Sequence, residues 1–121
     1  MRVNAHTVSE ECGLDDLAAL LEDPTARAIL TETVREPMSA RTLSEHCDAS
    51  EPTIYRRLED LRECELLVER TRLDTDGGHH HNLYATNLER IVVELDGDGF
   101  SFRIDRRESM ADRFTRLIEG M

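Results

Sequence analysis

Residues 39–61 read SARTLSEHCDASEPTIYRRLEDL, and they contain the most informative pattern in the chain. Its spacing predicts a short helix over residues 40–47 and a longer one over residues 51–64, joined only by residues 48–50. Ser50 is the expected N-cap of the longer helix, because a serine hydroxyl can accept a hydrogen bond from the first turn. Three apolar residues recur at helical spacing and predict the buried face of that helix: Ile54, Leu58 and Leu61.

The outward face of the longer helix carries its basic and hydrogen-bonding side chains in the first half and most of its acids in the second. A helix that enters the major groove of DNA reads base edges with its N-terminal half. Arginine suits this task, because its guanidinium can donate two hydrogen bonds to one guanine. The alternative is that Arg56 and Arg57 only pair with nearby acids, such as Glu59 or Asp60, on a solvated helix.

The flanking sequence extends this pattern on both sides. Upstream, two apolar stripes predict two helices, and their members are Leu14, Leu17, Ala18 and Leu21, then Ala26, Ile29, Leu30 and Val34. Downstream, alternating residues predict two β-hairpins, with turns at residues 76–78 and 96–99. A last helix is predicted from about Arg106 to Glu119. The expected fold is therefore α+β, with an N-terminal helix and extension over 1–24, a DNA-binding domain over 25–86, and a second hairpin and C-terminal helix over 87–121.

The composition points to a salt-rich cytoplasm. The chain has 121 residues and a net charge of −11, and all 15 of its basic residues are arginine. Dispersed carboxylates with no lysine resemble the surfaces of cytosolic proteins from salt-loving archaea, and they predict inorganic cations and anions as surface partners. At about 1 M salt the Debye length is only about 3 Å, so self-repulsion is screened.

Other simple features predict a cytoplasmic protein that neither spans a membrane nor carries a signal peptide. No window approaches the roughly 18 apolar residues of a membrane span. The first residues, 1–11, contain no apolar run. Cys12, Cys47 and Cys64 are odd in number and lack Cys-x-x-Cys spacing, so we expect free thiols in a reducing compartment rather than a disulfide framework.

The quoted segment resembles the helix-turn-helix of the ArsR/PadR-like group of winged helix-turn-helix transcription regulators. Residues 66–70 and 84–86 resemble the two strands of its wing. Length, composition and layout resemble small haloarchaeal members of the group, one of which responds to reactive oxygen species. The resemblance implies a stress-responsive homodimer on a pseudo-palindromic operator, with the longer helix in the major groove and the wing near the minor groove. No cofactor is implied.

By position, the resemblance and the local chemistry together predict two sets of site residues. The DNA-contacting set is drawn from the two helices and the wing: Arg41, Ser50, Thr53, Tyr55, Arg56, Arg57, Arg70, Arg72, His79 and His80. The dimer interface is expected to join the first helix to the last one, through Leu14, Leu17, Leu21, Met110, Phe114, Leu117 and Ile118.

Other functions remain open on the sequence alone. No nucleophile elbow, P-loop or glycine-rich cofactor turn occurs, so we expect no catalysis. One alternative is a repressor gated by a metal at His79–His81 or by oxidation of the cysteines. We expect no metal, because adjacent histidines in an extended segment point in alternating directions. Another is a winged helix that binds a protein partner rather than DNA.

Overall fold

Four helices are followed by two β-hairpins in the computed structural model, which describes residues 12–74 and 79–108, without the side chains of residues 72–81. The helices are α1 (Leu14–Glu22), α2 (Pro24–Arg35), α3 (Ala40–His46) and α4 (Glu51–Glu63). The strands are β1 (Leu67–Asp74), β2 (His79–Thr86), β3 (Leu88–Asp96) and β4 (Gly99–Arg106). This is the α+β arrangement that the sequence predicts.

Side-chain caps fix where α3 and α4 begin. Ser39 Oγ accepts a hydrogen bond from Thr42 N at 3.2 Å, and Ser50 Oγ accepts one from Thr53 N at 3.3 Å. The N-cap prediction for Ser50 is thus confirmed. Between the helices, Asp48 turns the chain through a positive φ of 51°, a conformation that aspartate tolerates better than most residues. The two helices are therefore tightly coupled in orientation.

The hydrophobic core lies between the helices and the start of the first hairpin. The predicted stripe of α4, Ile54, Leu58 and Leu61, is buried. It packs with Ile29 of α2 and Leu43 of α3, which are also fully buried. This core holds α4 by one face and leaves the opposite face toward solvent.

The predicted stripes of α1 and α2 are each partly wrong. In α1 the buried residues are Leu17 and Leu20, whereas Ala18 and Leu21 are exposed. In α2 Thr33 is buried in place of Val34. Thr33 can be buried because its hydroxyl donates a hydrogen bond to Ile29 O at 2.7 Å. A prediction from hydrophobicity alone expects the apolar Val34 to be buried instead.

Each pair of successive strands forms a separate two-stranded antiparallel sheet. The first hairpin, β1–β2, is the wing of the sequence prediction, and Met38 adds to it through a bridge to Tyr84 with N–O distances of 3.0 and 2.8 Å. Strands β2, β3 and β4 are longer than the sequence predicts. In particular, Arg106 pairs with Leu88 in the sheet, so the last helix cannot begin there. Arg107 and Glu108 are not helical either, and the rest of that predicted helix, residues 109–119, lies outside the described residues.

Asn87 is the buried junction of the two hairpins. Its backbone N–H donates to Leu66 O at 2.8 Å, and its carbonyl accepts from Arg107 N at 2.8 Å. Its side chain forms two further hydrogen bonds with the backbone of Glu108, one to N at 2.9 Å and one to O at 3.2 Å. The chain after β4 is therefore fixed at the common base of both hairpins.

The expectation of three free cysteines is wrong. Cys12 and Cys64 form a disulfide, with Cα atoms 5.1 Å apart, and only Cys47 is a free thiol among the three. The bond joins the residue before Gly13, the N-cap of α1, to the C-cap residue of α4. An odd number of widely spaced cysteines carries no signal for this contact, because the contact depends on which distant parts of the chain the fold brings together.

None of the helices in residues 12–74 and 79–108 is long and apolar enough to cross a bilayer.

Candidate nucleic-acid interface

The outward face of α3 and α4 presents an aromatic ring and two arginines to solvent. Tyr55 is 56% exposed, and Arg56 and Arg41 are also exposed. Neither arginine forms an ion pair with any residue in the part of the chain that the structure describes. Arg41 lies in the first turn of α3, and Tyr55 and Arg56 lie in the first half of α4. The N-terminal half of a helix is the part that faces base edges when the helix enters a major groove.

The cap of α4 adds two hydroxyl groups to this face. Ser50 Oγ donates to Thr53 Oγ1 at 2.9 Å and also accepts from Thr53 N. The threonine hydroxyl thus acts as an acceptor in the cap and keeps its own proton to donate. A phosphate oxygen is a suitable acceptor for such a proton. Ser50 and Thr53 therefore combine a structural role with hydrogen-bonding capacity.

Arg57 occupies a different environment from its neighbour Arg56. Its side chain is 29% exposed, with Nε paired to Asp23 and Nη1 at 3.5 Å from Asp60. Asp23 is the N-cap of α2, where its carboxylate accepts from Ala26 N at 3.2 Å. The pair of Arg57 with Asp23 therefore ties α4 to the start of α2. The sequence contains a signal for this, because residue 57 lies three positions after Ile54 and four before Leu61, at the edge of the buried stripe.

The surface beside Arg57 is acidic. An open groove between α1, the start of α2 and α4 is lined by the Cys64 end of the disulfide, apolar side chains and carboxylates, namely Asp16, Glu22, Asp23, Asp60 and Glu63. Phosphate would be repelled there. The two sides of α4 thus differ in charge. The side with the exposed arginine is suited to DNA, and the side that lines the acidic groove is suited to protein contacts or cations.

The wing holds Arg70, which is half exposed and has Nη2 3.6 Å from Glu108 Oε2. Glu69, on the same strand, pairs with Arg62 of α4 at 3.0 Å, which braces the wing against the helix. The side chains of Arg72, His79 and His80 lie outside the described residues. Arg70 is therefore the one predicted wing contact whose placement the structure describes.

The predicted dimer residues of α1 occupy three environments. Leu17 is buried in the core of its own protomer, Leu14 is half-buried and Leu21 is exposed. Leu21 is accordingly the residue of α1 that is most accessible to a second chain. Met110, Phe114, Leu117 and Ile118 lie outside the described residues.

The free thiol is protected from ionisation. Burial raises the pKa of Cys47, and the carboxylate of Glu32 raises it further. Glu32 also lies 3.5 Å from His46 Nδ1. Since the thiolate is the reactive form of cysteine, Cys47 is expected to react slowly near neutral pH.

Part of the chain is similar to a known family. Residues 21–70 match the family model described as a helix-turn-helix domain. The match covers the end of α1, helices α2 to α4 and the start of β1, and it stops before the rest of the wing and the second hairpin. A search of curated proteins found no match.

The similarity to a helix-turn-helix domain suggests what the exposed arginines bind. DNA binding is the usual work of such a domain. By position, α4 corresponds to the second helix of the helix-turn-helix, the one that enters the major groove in proteins of this kind. Tyr55 and Arg56 therefore lie where base and phosphate contacts are expected.

Proposed function

We propose that this protein is a sequence-specific DNA-binding transcription regulator that acts as a homodimer on a pseudo-palindromic operator. The observation that carries the proposal is the exposure of Arg56 and Tyr55 on the first half of α4, in a helix-turn-helix domain whose other helical face is buried. A bidentate arginine contact to guanine contributes about 1–3 kcal/mol of discrimination.

The proposed contact set comes from three places. Arg56, Tyr55 and the Thr53 hydroxyl face the major groove, and Arg41 on α3 reaches the adjacent backbone. On the wing, Arg70, Arg72, His79 and His80 lie near the minor groove or its phosphates. Arg57 is held by Asp23 and Asp60, so its part is to fix the angle of the recognition helix before any contact of its own.

A homodimer follows from the size of the recognition surface. One domain places one recognition helix in one major groove, and two half-sites about one helical turn apart need two such helices. The proposed interface uses the accessible Leu21 of α1 together with Met110, Phe114, Leu117 and Ile118 of the C-terminal segment.

We further propose that binding takes place in a salt-rich archaeal cytoplasm. A net charge of −11 opposes DNA binding at low salt, whereas about 1 M salt screens charges beyond about 3 Å. Direct arginine contacts then act locally, and cations held by the surrounding carboxylates offset repulsion at the edge of the interface. These inorganic ions are the proposed small partners.

The function is tested by footprinting the purified protein on genomic DNA fragments in molar KCl. We expect a protected site with two-fold symmetry and half-sites about 10 base pairs apart. Protection without sequence preference would contradict a regulator that reads bases. No protection in the same buffer, with a folded protein, would favour the protein-interaction alternative.

A redox-gated regulator is the second candidate, and the disulfide is the observation that favours it. Cys64 is the C-cap residue of the recognition helix, and the bond ties it to Cys12 in front of α1. A dithiol reductant would convert the disulfide to two thiols while being oxidised to its own disulfide, which would release the N-terminal segment from α4. Operator affinity of the oxidised and reduced forms, measured side by side, separates this candidate from a regulator with a purely structural disulfide. Such a gate would also account for a stress response.

A further inference from the structure

The β3–β4 hairpin has two chemically different faces. On one face the cross-strand pairs are all apolar: Ile91 with Ile104, Val93 with Phe102, and Leu95 with Phe100. On the other face Asp105 accepts hydrogen bonds from Arg90 and Arg103, each at 2.9 Å. These bonds hold the pKa of Asp105 below its ordinary value, as expected for a solvated ion-pair network.

Among the residues that the structure describes, those of the same protomer cover only the base of this apolar face. Ile104 is buried in the core, and Ile91 and Phe102 pack against it. Toward the tip the exposure rises, to 52% at Val93, 57% at Phe100 and 68% at Leu95. Three neighbouring large apolar side chains on one sheet face mark an interaction surface rather than a scatter of single residues.

We infer that this face receives the C-terminal segment, residues 109–121, of a second copy of the chain. The inference rests on the homodimer of the proposed function and adds the β3–β4 face to the residues of α1 and of the C-terminal segment that form its proposed interface. The sequence of this segment has apolar residues at helical spacing, Met110, Phe114, Leu117 and Ile118. An amphipathic helix with such a stripe needs an apolar surface, because it is too short to be stable alone.

The dimensions of the two partners agree. Residues 109–121 would make a helix about 20 Å long at about 1.5 Å per residue. The apolar rows from Ile91 to Leu95 and from Ile104 to Phe100 extend about 13 Å at about 3.3 Å per residue. One helix therefore covers the whole exposed part of the face.

The exit of the chain from β4 favours the partner over the same protomer. β4 runs from the tip to the base of the hairpin, and both residues that follow it, Arg107 and Glu108, are bonded to Asn87 at that base. Only Ser109 separates the fixed Glu108 from Met110, the first residue of the stripe. A return along its own hairpin would have to reverse within that short stretch, whereas most such connections have about 2–6 residues.

The area required for a stable dimer also favours an arrangement in which each protomer places its C-terminal segment on the hairpin of the other. A standard interface buries about 800 Å² per partner, and even a large aromatic side chain supplies only about 150–250 Å². Val93, Leu95 and Phe100 alone are too few for a hairpin-to-hairpin dimer. When each protomer contributes both a hairpin face and a helical stripe, the buried area roughly doubles and approaches the standard size.

The first test compares two substitutions on the same strand. Leu95→Glu places a charge on the exposed apolar face, and Val92→Glu places the same charge on the opposite, charged face. In molar KCl we expect the dissociation constant of the dimer to rise about 100-fold with Leu95→Glu, because the dimer contains two such contacts and each contributes about tenfold. Val92→Glu should leave it within about threefold. Circular dichroism checks that both variants fold.

The second test identifies the occupant. In a Cys47→Ala background, a protein with Val93→Cys is mixed with one carrying Phe114→Cys and treated with a bismaleimide, which spares the disulfide. We expect a covalent dimer of the two different chains, and a much lower yield when Val92→Cys replaces Val93→Cys. An intrachain cross-link in the Val93→Cys/Phe114→Cys double variant, with the mass of a monomer, would overturn the inference in favour of the same protomer.

The outcomes separate the inference from the proposed function. A wild-type dimer that neither dissociates with Leu95→Glu nor cross-links overturns the inference and leaves the proposed homodimer standing. A wild-type monomer at tens of micromolar overturns both the inference and the dimeric part of the function. DNA binding itself is judged by the footprint, which does not depend on this interface for its sequence preference.

Discussion

The carboxylate of Asp23 serves two helices at once: it caps α2 through Ala26 N at 3.2 Å and pairs with Arg57 Nε of α4. A helix that reads DNA must be held at a fixed angle, and this pair joins α4 to a neighbouring helix outside the hydrophobic core. Arg57→Ala should lower the free energy of unfolding by about 1 kcal/mol, as expected for a partly exposed ion pair. Urea unfolding in molar KCl measures the change.

Two variants of Asp23 provide the control for that prediction. Asp23→Asn keeps a side-chain oxygen for the cap and loses the charge, so it should match Arg57→Ala. Asp23→Ala loses the cap as well and should cost about a further 1 kcal/mol. Equal stability of the Asn and Ala variants would contradict the dual role.

The disulfide should contribute strongly to stability. Cys12 and Cys64 are separated by 52 residues, and closing a loop of that length restricts the unfolded chain by about 4 kcal/mol in the chain-entropy model. Cys12→Ser should lower the unfolding free energy by roughly that amount, and Cys47→Ser should not. A Cys12→Ser variant as stable as the wild type would show that the bond does not form in solution.

Cys47 should be alkylated slowly near neutral pH. Burial, and then the charge of Glu32, raise its pKa above the ordinary value, so the pH midpoint of iodoacetamide alkylation should lie above that of a free cysteine. Glu32→Gln should lower the midpoint, because it removes the second cause. The raised pKa favours the folded state only while the thiol is protonated. Its contribution to the free energy of unfolding is therefore complete below the pKa that the thiol has in the unfolded chain, and it is lost as the pH rises through the pKa in the folded protein. A midpoint at or below that of free cysteine would refute the assignment.

Operator affinity should depend only weakly on salt. Ordinary DNA-binding proteins lose affinity steeply as salt rises, because counterion release drives their binding. Here the net charge of −11 repels DNA at low salt, so screening offsets the lost release. We expect affinity between 0.2 and 2 M KCl to change by less than about tenfold or to increase. A loss of about a thousandfold over that range would contradict the account.

The bounds, cap and buried face of α4 were predictable from the sequence, and its surroundings were only partly so. The Ser50 cap and the stripe of Ile54, Leu58 and Leu61 follow from local chemistry, and the structure confirms them. The burial of Thr33 depends on a hydrogen bond within α2, which periodicity cannot show. The disulfide depends on tertiary proximity across 52 residues, which no local pattern encodes.

The same contrast applies to the site. Exposure of Arg56 and Tyr55 follows from their positions opposite the apolar stripe. The pairing of Arg57 depends on its position at the edge of that stripe and on the location of Asp23 beside it. The position can be predicted from the sequence, whereas the location of Asp23 is known only from the folded structure. The wing contacts and the C-terminal stripe stay predictions from the sequence.

The central claim is that exposed arginines on α3 and α4, Arg41 and Arg56, prevail locally over an unfavourable overall charge. The most direct measurement compares the operator affinity of Arg56→Ala with that of Arg62→Ala in molar KCl. Arg62 is a matched control because it lies in the last turn of the same helix and pairs with Glu69. We predict a loss of about 10- to 100-fold for Arg56→Ala and less than about threefold for Arg62→Ala. Equal affinities of Arg56→Ala and the wild type would contradict the claim.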